Sequence, residues 1–407
     1  MNTEKRLFKG KLKQYSLLIA LVIIIAFFQI VTGGLLLKPM NVSNVVFQNA
    51  YVVILAIGML LCILTGGNID LSVGSVVALV SAAAGQMIIV WKWNVYFSIG
   101  ICLLLGIMVG IWQGFWIAYV RIPAFIVTLS GQLVFRGCTL LLLNGMTLAP
   151  FPNDYLMFST GFIAKEAKVD ILGMNMNIVC LITGIVIALV FCILQIVNNA
   201  TRRRKGYEAE SSLSLAVKLV LISAVLIWFF ALLAQYQGIP TVLVILGVLL
   251  VVYTFITTKT VAGRHLYALG GNEKAARLSG VKTNRLFFLA YVNMGFLAAV
   301  TGLVFAARLN SASPVAGGNF ELDAIGACFI GGASAYGGVG TIGGTLIGAL
   351  IMGMLNNGMS ILGLSSNLQQ VVKGLVLLGA VAMDVISKMN LEILPRRKKV
   401  VVEPQKG

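Results

Sequence analysis

The apolar residues of this chain fall in stretches of about 18 or more positions without a charge, divided by short polar segments. A helix needs about 20 residues to cross a hydrocarbon core, so each stretch is a candidate membrane span. Twelve candidates follow, near 17–37, 47–64, 71–90, 96–120, 123–144, 175–197, 213–235, 239–258, 285–307, 323–340, 342–361 and 368–388. The first is too long for the apolar part of a secretory leader and lacks a small-residue cleavage site, so it reads as an uncleaved span. The pattern predicts an all-α polytopic membrane protein of about 12 transmembrane helices, some of them broken by glycines.

Composition agrees. Of 407 residues, 59% are hydrophobic and 11% charged, against roughly 25% charged in soluble chains. The six cysteines lie inside apolar runs with no Cys-x-x-Cys spacing, so neither a disulfide framework nor a zinc site is expected. A single histidine, His265, argues against a histidine metal centre or a relay of imidazoles.

The net charge of +17 could suggest a polyanion ligand, but the positions of the basic residues decide otherwise. With both termini on the cytoplasmic side, the inner segments hold 22 of the 30 Lys and Arg, the outer segments five, and three (Arg136, Lys218, Lys373) fall within spans. That asymmetry predicts an N-in, C-in orientation and no nucleic-acid partner.

The longest segments outside the spans, about 146–174 and 259–284, are too short for a water-soluble catalytic domain. No G-x-x-x-x-G-K-[ST] loop occurs, so the chain is not expected to bind or hydrolyse a nucleotide. Ser334, in GGASAYGG, could tempt a serine-hydrolase reading, yet His265 sits in a predicted cytoplasmic loop out of its reach. The titratable groups do not converge as an enzyme would require.

Forty-four glycines cluster along the chain. Gly106, Gly110 and Gly114 recur every fourth residue, as do Gly340, Gly344 and Gly348, a spacing that lets helices pack closely in lipid and can also serve a dimer face. Two glycine-rich breaks, LTGGNIDLSVGSVVALV (64–80) and FIGGASAYGGVGTIGGTLIGAL (329–350), interrupt apolar runs. Non-helical backbone at membrane depth must be buried in protein or line a cavity, so these breaks mark a pathway or a packing pivot. Asp70 lies in the first break. Arg136 is too deep in its span to snorkel and should find a carboxylate or helix C-terminal carbonyls, whereas Lys218, Lys373 and Asp384 lie nearer span ends.

In the loop KTVAGRHLYALGGNEKAARLSGVKTNR, Gly270 and Gly271 should break the chain, Asn272 can cap a helix, and Glu273 suits its positive end. Ala275 and Ala276 continue the helix and Gly280 can end it. The result is a two-turn helix with a small-residue face and a basic rim, suited to docking in a partner's groove.

Four segments in order, NIDLSVG (68–74), RIPAFIVTLSGQLVFRG (121–137), YALGGNEKAARLSGV (267–281) and the glycine run 331–348, resemble the permease subunits of bacterial carbohydrate ABC importers of the ribose, xylose and galactose type. The resemblance covers about 47–145 and 239–388. Residues 146–238, with two extra spans, make the chain similar to the enlarged xylose or multiple-monosaccharide forms. It implies one permease domain in the bacterial cytoplasmic (inner) membrane, paired with a second permease copy. It also implies a cytoplasmic ABC ATPase that binds the ATP, an extracytoplasmic sugar-binding protein, a monosaccharide substrate and no cofactor or metal of the chain's own. Gly271, Asn272, Glu273, Ala275, Ala276 and Gly280 would form the ATPase-coupling loop, here with Lys274 inserted before the alanines. A neutral sugar calls for amides and hydroxyls, for which Asn68, Ser72, Gln132, Asn356 and Asn357 are the candidates, with Asp70 and Arg136 as buried charges. The competing reading is an ion-coupled secondary carrier using buried charges or broken-helix ends.

Overall fold

The computed structural model describes the backbone of residues 2–389 except 172 and 208, and side chains within 17–386 except 171, 172 and 208. The basic side chains before Leu17 and from Lys388 onward lie outside the described residues. Helix α1 spans Asn2–Val31, α2 Pro39–Leu64 and α3 Val73–Gly85, which a π-helical turn at Gln86–Val90 prolongs. They are followed by α4 (Val95–Ala118) and α5 (Ala124–Leu143). A short α6 (Asn153–Thr160), strands β1 (Phe162–Ile163), β2 (Lys168–Ile171) and β3 (Met174–Asn177), and the long pair α7 (Ile178–Arg204) and α8 (Ser212–Ala234) come next. The rest comprises β4 (Ile239–Pro240), α9 (Thr241–Lys259), α10 (Val261–Gly271), α11 (Glu273–Leu278), α12 (Thr283–Leu309), α13 (Phe320–Ile330), α14 (Ile342–Ile361) and α15 (Ser366–Met389).

Among the described residues, ten helices are long and apolar enough to cross a membrane: α2, α3 with its π turn, α4, α5, α7, α8, α9, α12, α14 and α15. The protein is a helical multi-span bundle. Its centre is α2 and α12, whose most apolar windows are 78% and 67% buried; α8 and α15, at 6%, form the rim. The predicted outer segment and two extra spans become α6, the antiparallel pairs β1–β4 and β2–β3, and an α7–α8 hairpin. That hairpin has its own small core around Cys180, Phe230 and Leu233.

Local chemistry explains several boundaries. Asn94 starts α4 by accepting from the amide of Tyr96 at 2.9 Å, and Asn177 starts α7 by accepting from that of Cys180 at 2.9 Å. The Gly106, Gly110 and Gly114 face seats α4 against α12, with backbone of Gly295, Tyr291 and Phe288 opposite, so within this chain it is a packing face. Gly344 and Gly348 do the same for α14 against α13, facing Gly331 and Ala327. Gly340 departs from the expected face: its φ of 151° places it in non-helical chain before α14.

The expected span at 323–340 is a second difference. Only Phe320–Ile330 is helical, and 331–341 is not, because glycines at 332, 337, 338 and 340 take positive φ. Likewise 65–72 between α2 and α3 is non-helical. The two short helices begin back to back: Gly74, in the first turn of α3, touches the carbonyl of Gly317, just before α13. From there α3 runs toward Ala312 and Leu148, while α13 runs alongside α2 toward the face that carries α10 and α11.

Candidate functional site

The segment expected to couple to an ATPase folds nearly as its sequence dictates. Asn272 Oδ1 accepts from the Ala275 amide at 3.0 Å and Glu273 opens α11. Ala276 is buried, and Gly280, at φ 85°, closes the helix by donating to the Arg277 carbonyl at 3.0 Å. One expectation is corrected: Gly270 and Gly271 do not break the chain but form the last turn of α10, and the break falls at Asn272 alone. A helical turn tolerates glycine, whereas Asn272, extended at φ −161°, both ends α10 and caps α11.

Arg121, at the α4–α5 elbow, pairs with Glu273, bonds Asn284 and lies over the Phe287 ring. Glu273 also meets Arg277 at 3.5 Å, one turn along α11. The α4–α5 elbow is therefore tied, across about 150 residues of sequence, to α11 and to the start of α12 that follows it. The opposite side of α10 reaches the broken segments, where Tyr267 donates its hydroxyl to the Gly340 carbonyl at 2.8 Å. Partial burial pushes the Tyr267 pKa up from its ordinary value, so the hydroxyl stays protonated and able to donate.

The pathway candidates divide into separate groups. Asn68 folds back on Thr65, its amide 3.2 Å from Oγ1. Asp70 Oδ1 accepts from the amide and hydroxyl of Ser72, at 2.9 and 2.7 Å, and Ser72 in turn accepts from Gln113 of α4. Far from these, Asn357 bonds Asn41 and Gln48 of α2, at 3.3 and 3.1 Å, and the Asn356 Oδ1 is buried beside it. Gln132 is half-buried on α5. So Asp70 and Ser72 are joined to each other and to Gln113, Asn68 bonds Thr65 within its own turn, and Asn357 bonds α2 at the other end of that helix.

Arg136 finds carbonyls, as expected, but of a loop and not of a helix end: its Nη1 donates to Pro314 at 2.8 Å and Ala316 at 2.7 Å. It thereby holds 310–319 against the bundle. Lys373 differs from a snorkelling residue. Its Nζ lies 3.0 Å from Asp323 Oδ1, an aspartate 2% exposed that also accepts from Tyr51 at 2.6 Å. Glu321, 7% exposed, lies against Gly74. Among the described residues the buried carboxylates Asp70, Glu321 and Asp323 sit at the starts of α3 and α13, where the positive ends of the helix dipoles favour them. Sequence reading passed over Glu321, Asp323, Gln113, Arg121 and Tyr267. Arg121 and Tyr267 open two of the family-like segments, and the two acids form a pair of charges opening an apolar run, but Gln113 carried no such signal.

Comparison with known proteins places these features. The family described as the permease component of branched-chain amino acid transport systems matches residues 41–381. The chain belongs to this permease family. The xylose transport system permease protein XylH of Haemophilus influenzae is 38% identical over 380 residues, covering 93% of this chain and 98% of that protein. Its Escherichia coli K12 counterpart is 37% identical over 384 residues, 93% of each chain. The ribose import permease protein RbsC of Escherichia coli K12 is 34% identical over 376 residues, 92% of this chain and 95% of that one. No solved structure matches. The family match spans both broken segments, α10 and α11, so all four lie within the part of the chain that the family shares.

Proposed function

We propose that this permease is the membrane subunit of a monosaccharide ABC importer, taking xylose or mixed aldoses and driven by a separate ATPase. The observation that carries the reading is α11: a short, exposed, basic-rimmed helix tied by Glu273 to the α4–α5 elbow, in a chain whose relatives are named for xylose and ribose transport. Gly271, Asn272, Glu273, Ala275, Ala276 and Gly280 form the docking loop, and the face bearing α10 and α11 is cytoplasmic. With that face inside, the 22-to-five distribution of basic residues fits N-in, C-in in the bacterial inner membrane. Twelve crossings result when 65–72 with α3, and 310–341 with α13, each count as one broken crossing beside α1 and the nine other long helices.

The geometry supports the following mechanism. Closure of the ATPase displaces α11, Arg121 carries the movement into α4 and α5, and the cavity changes its open side. Sugar passes between two copies of the chain along α5 and the first break, where Asn68, Ser72 and Gln132 offer weak, uncharged hydrogen bonds; Asn356 and Asn357 serve a neighbouring stretch. Asp70 and Arg136 hold this wall in shape. Residues 146–238 form a peripheral insertion, and outer loops receive the sugar-binding protein.

Co-expression tests this. The ATPase should co-purify with the wild-type chain and be lost with Glu273→Lys or Gly280→Trp, while uptake in a transport-deficient strain should favour xylose over disaccharides. Uptake undiminished in both variants would contradict the docking role, and uptake following a proton or sodium gradient would favour the secondary carrier.

A further inference from the structure

The two broken segments meet each other, and α10 is packed into the place where they meet. The Gly338 amide donates to the Leu64 carbonyl at 3.2 Å. A Cβ on Gly337 would lie 2.5 Å from the Gly66 nitrogen, and one on Gly67 would overlap the Ala335 carbonyl. Gly66, Gly67, Gly337 and Gly338 all have φ between 68° and 119°, which L side chains rarely adopt, so both the bends and the contact demand glycine. Onto this junction α10 presents Gly270, where a Cβ would overlap both the Leu64 oxygen and the Gly338 nitrogen. One turn earlier, Tyr267 holds the Gly340 carbonyl at 2.8 Å. From the far side, Asp384 of α15 accepts from the Ala335 amide at 3.2 Å.

The joint between α10 and α11 is a single residue. Asn272 donates to the Ala268 carbonyl at 3.1 Å, and its own carbonyl accepts from Ala276 at 3.0 Å. A shift of α11 therefore moves the end of α10. That end touches the two stretches of chain that cross the bundle without helical hydrogen bonding, the backbone best able to change conformation at membrane depth.

We propose that the backbone junction of Leu64–Gly67 with Ala335–Gly340 is the gate at the α10–α11 face, and that Gly270 and Tyr267 are the positioning residues through which α11 opens and closes it. This rests on the reading of α11 as the ATPase dock. It adds a second route, independent of the Arg121 contact, from that dock to the pathway.

The test uses the full importer reconstituted in proteoliposomes with radiolabelled xylose. It follows ATPase co-purification, ATP hydrolysis and xylose moved per ATP for wild type, Gly270→Ala, Tyr267→Phe and Gly247→Ala. Gly247, on α9, has open space around it and serves as control. Gly270→Ala should keep the ATPase bound and hydrolysing but lower xylose per ATP about tenfold, and Tyr267→Phe about threefold, within the range by which residues between two coupled sites modulate their coupling. Gly247→Ala should match wild type. Wild-type xylose per ATP in the Gly270 and Tyr267 variants overturns the gate. Should Gly270→Ala fail to insert, the Tyr267→Phe ratio decides alone. Absence of the ATPase from the wild-type complex overturns the docking reading instead.

Discussion

The guanidinium of Arg121 lies 2.9 Å from the carboxylate of Glu273, joining the turn between α4 and α5 to the first residue of α11. Both side chains are more than a third exposed, so the pair adds at most about 1 kcal/mol to stability. On the proposed docking reading, its value lies in transmission. Arg121→Ala should leave the melting temperature within about 2 °C, on the usual size scaling, yet reduce ATP-driven uptake. The swap Arg121→Glu with Glu273→Arg should recover part of that loss. Parallel unfolding and uptake measurements check this; a melting temperature that falls in step with uptake would show the contact to be structural.

Lys373 and Asp323 make the opposite case. The aspartate is 2% exposed, and removing its cation leaves a buried charge with the Tyr51 hydroxyl and the start of α13 but no counter-ion from Lys373. Lys373→Ala should cost about 3–5 kcal/mol, whereas the neutral pair Lys373→Met with Asp323→Asn should be much milder. Unfolding in detergent distinguishes the two.

Arg136 holds 310–319 through two charged hydrogen bonds to carbonyls. Arg136→Ala should destabilise by about 1.5–3 kcal/mol per bond lost and raise hydrogen exchange in that segment. Unchanged exchange there would remove Arg136 from this role.

The α4 glycines supply an internal comparison. A Cβ at Gly110 would sit 2.5 Å from the Tyr291 carbonyl, while Gly100 on the same helix has nothing within 4 Å. Gly110→Ala should cost about 1–3 kcal/mol through overpacking. Gly100→Ala should be neutral or slightly stabilising, since alanine favours helix. Yields of folded protein from membranes, followed by thermal melts, read the difference.

The spans were legible because lipid enforces long apolar runs, and α11 because its signals are local: a cap at Asn272, an acid at Glu273, a glycine at 280. The half-length of α13 was not. Its residues are as apolar as a span, and only the contacts of Gly331 with α14, of Gly337 with the first break and of Gly338 with α10 reveal that the chain leaves the helix there. Gly340 was misplaced for the same reason, since a four-residue spacing looks alike whether or not the first member is helical. The Asp70–Ser72 pair followed from proximity in sequence, but its link to Gln113 did not, nor did Lys373–Asp323. Partners 41 and 50 residues apart leave no local pattern.

The most direct measurement is ATP-dependent sugar uptake by proteoliposomes containing the purified permease, with and without the ATPase and the binding protein. Accumulation requiring both partners and ATP is the expected result; accumulation by the permease alone, driven by an ion gradient, would contradict it.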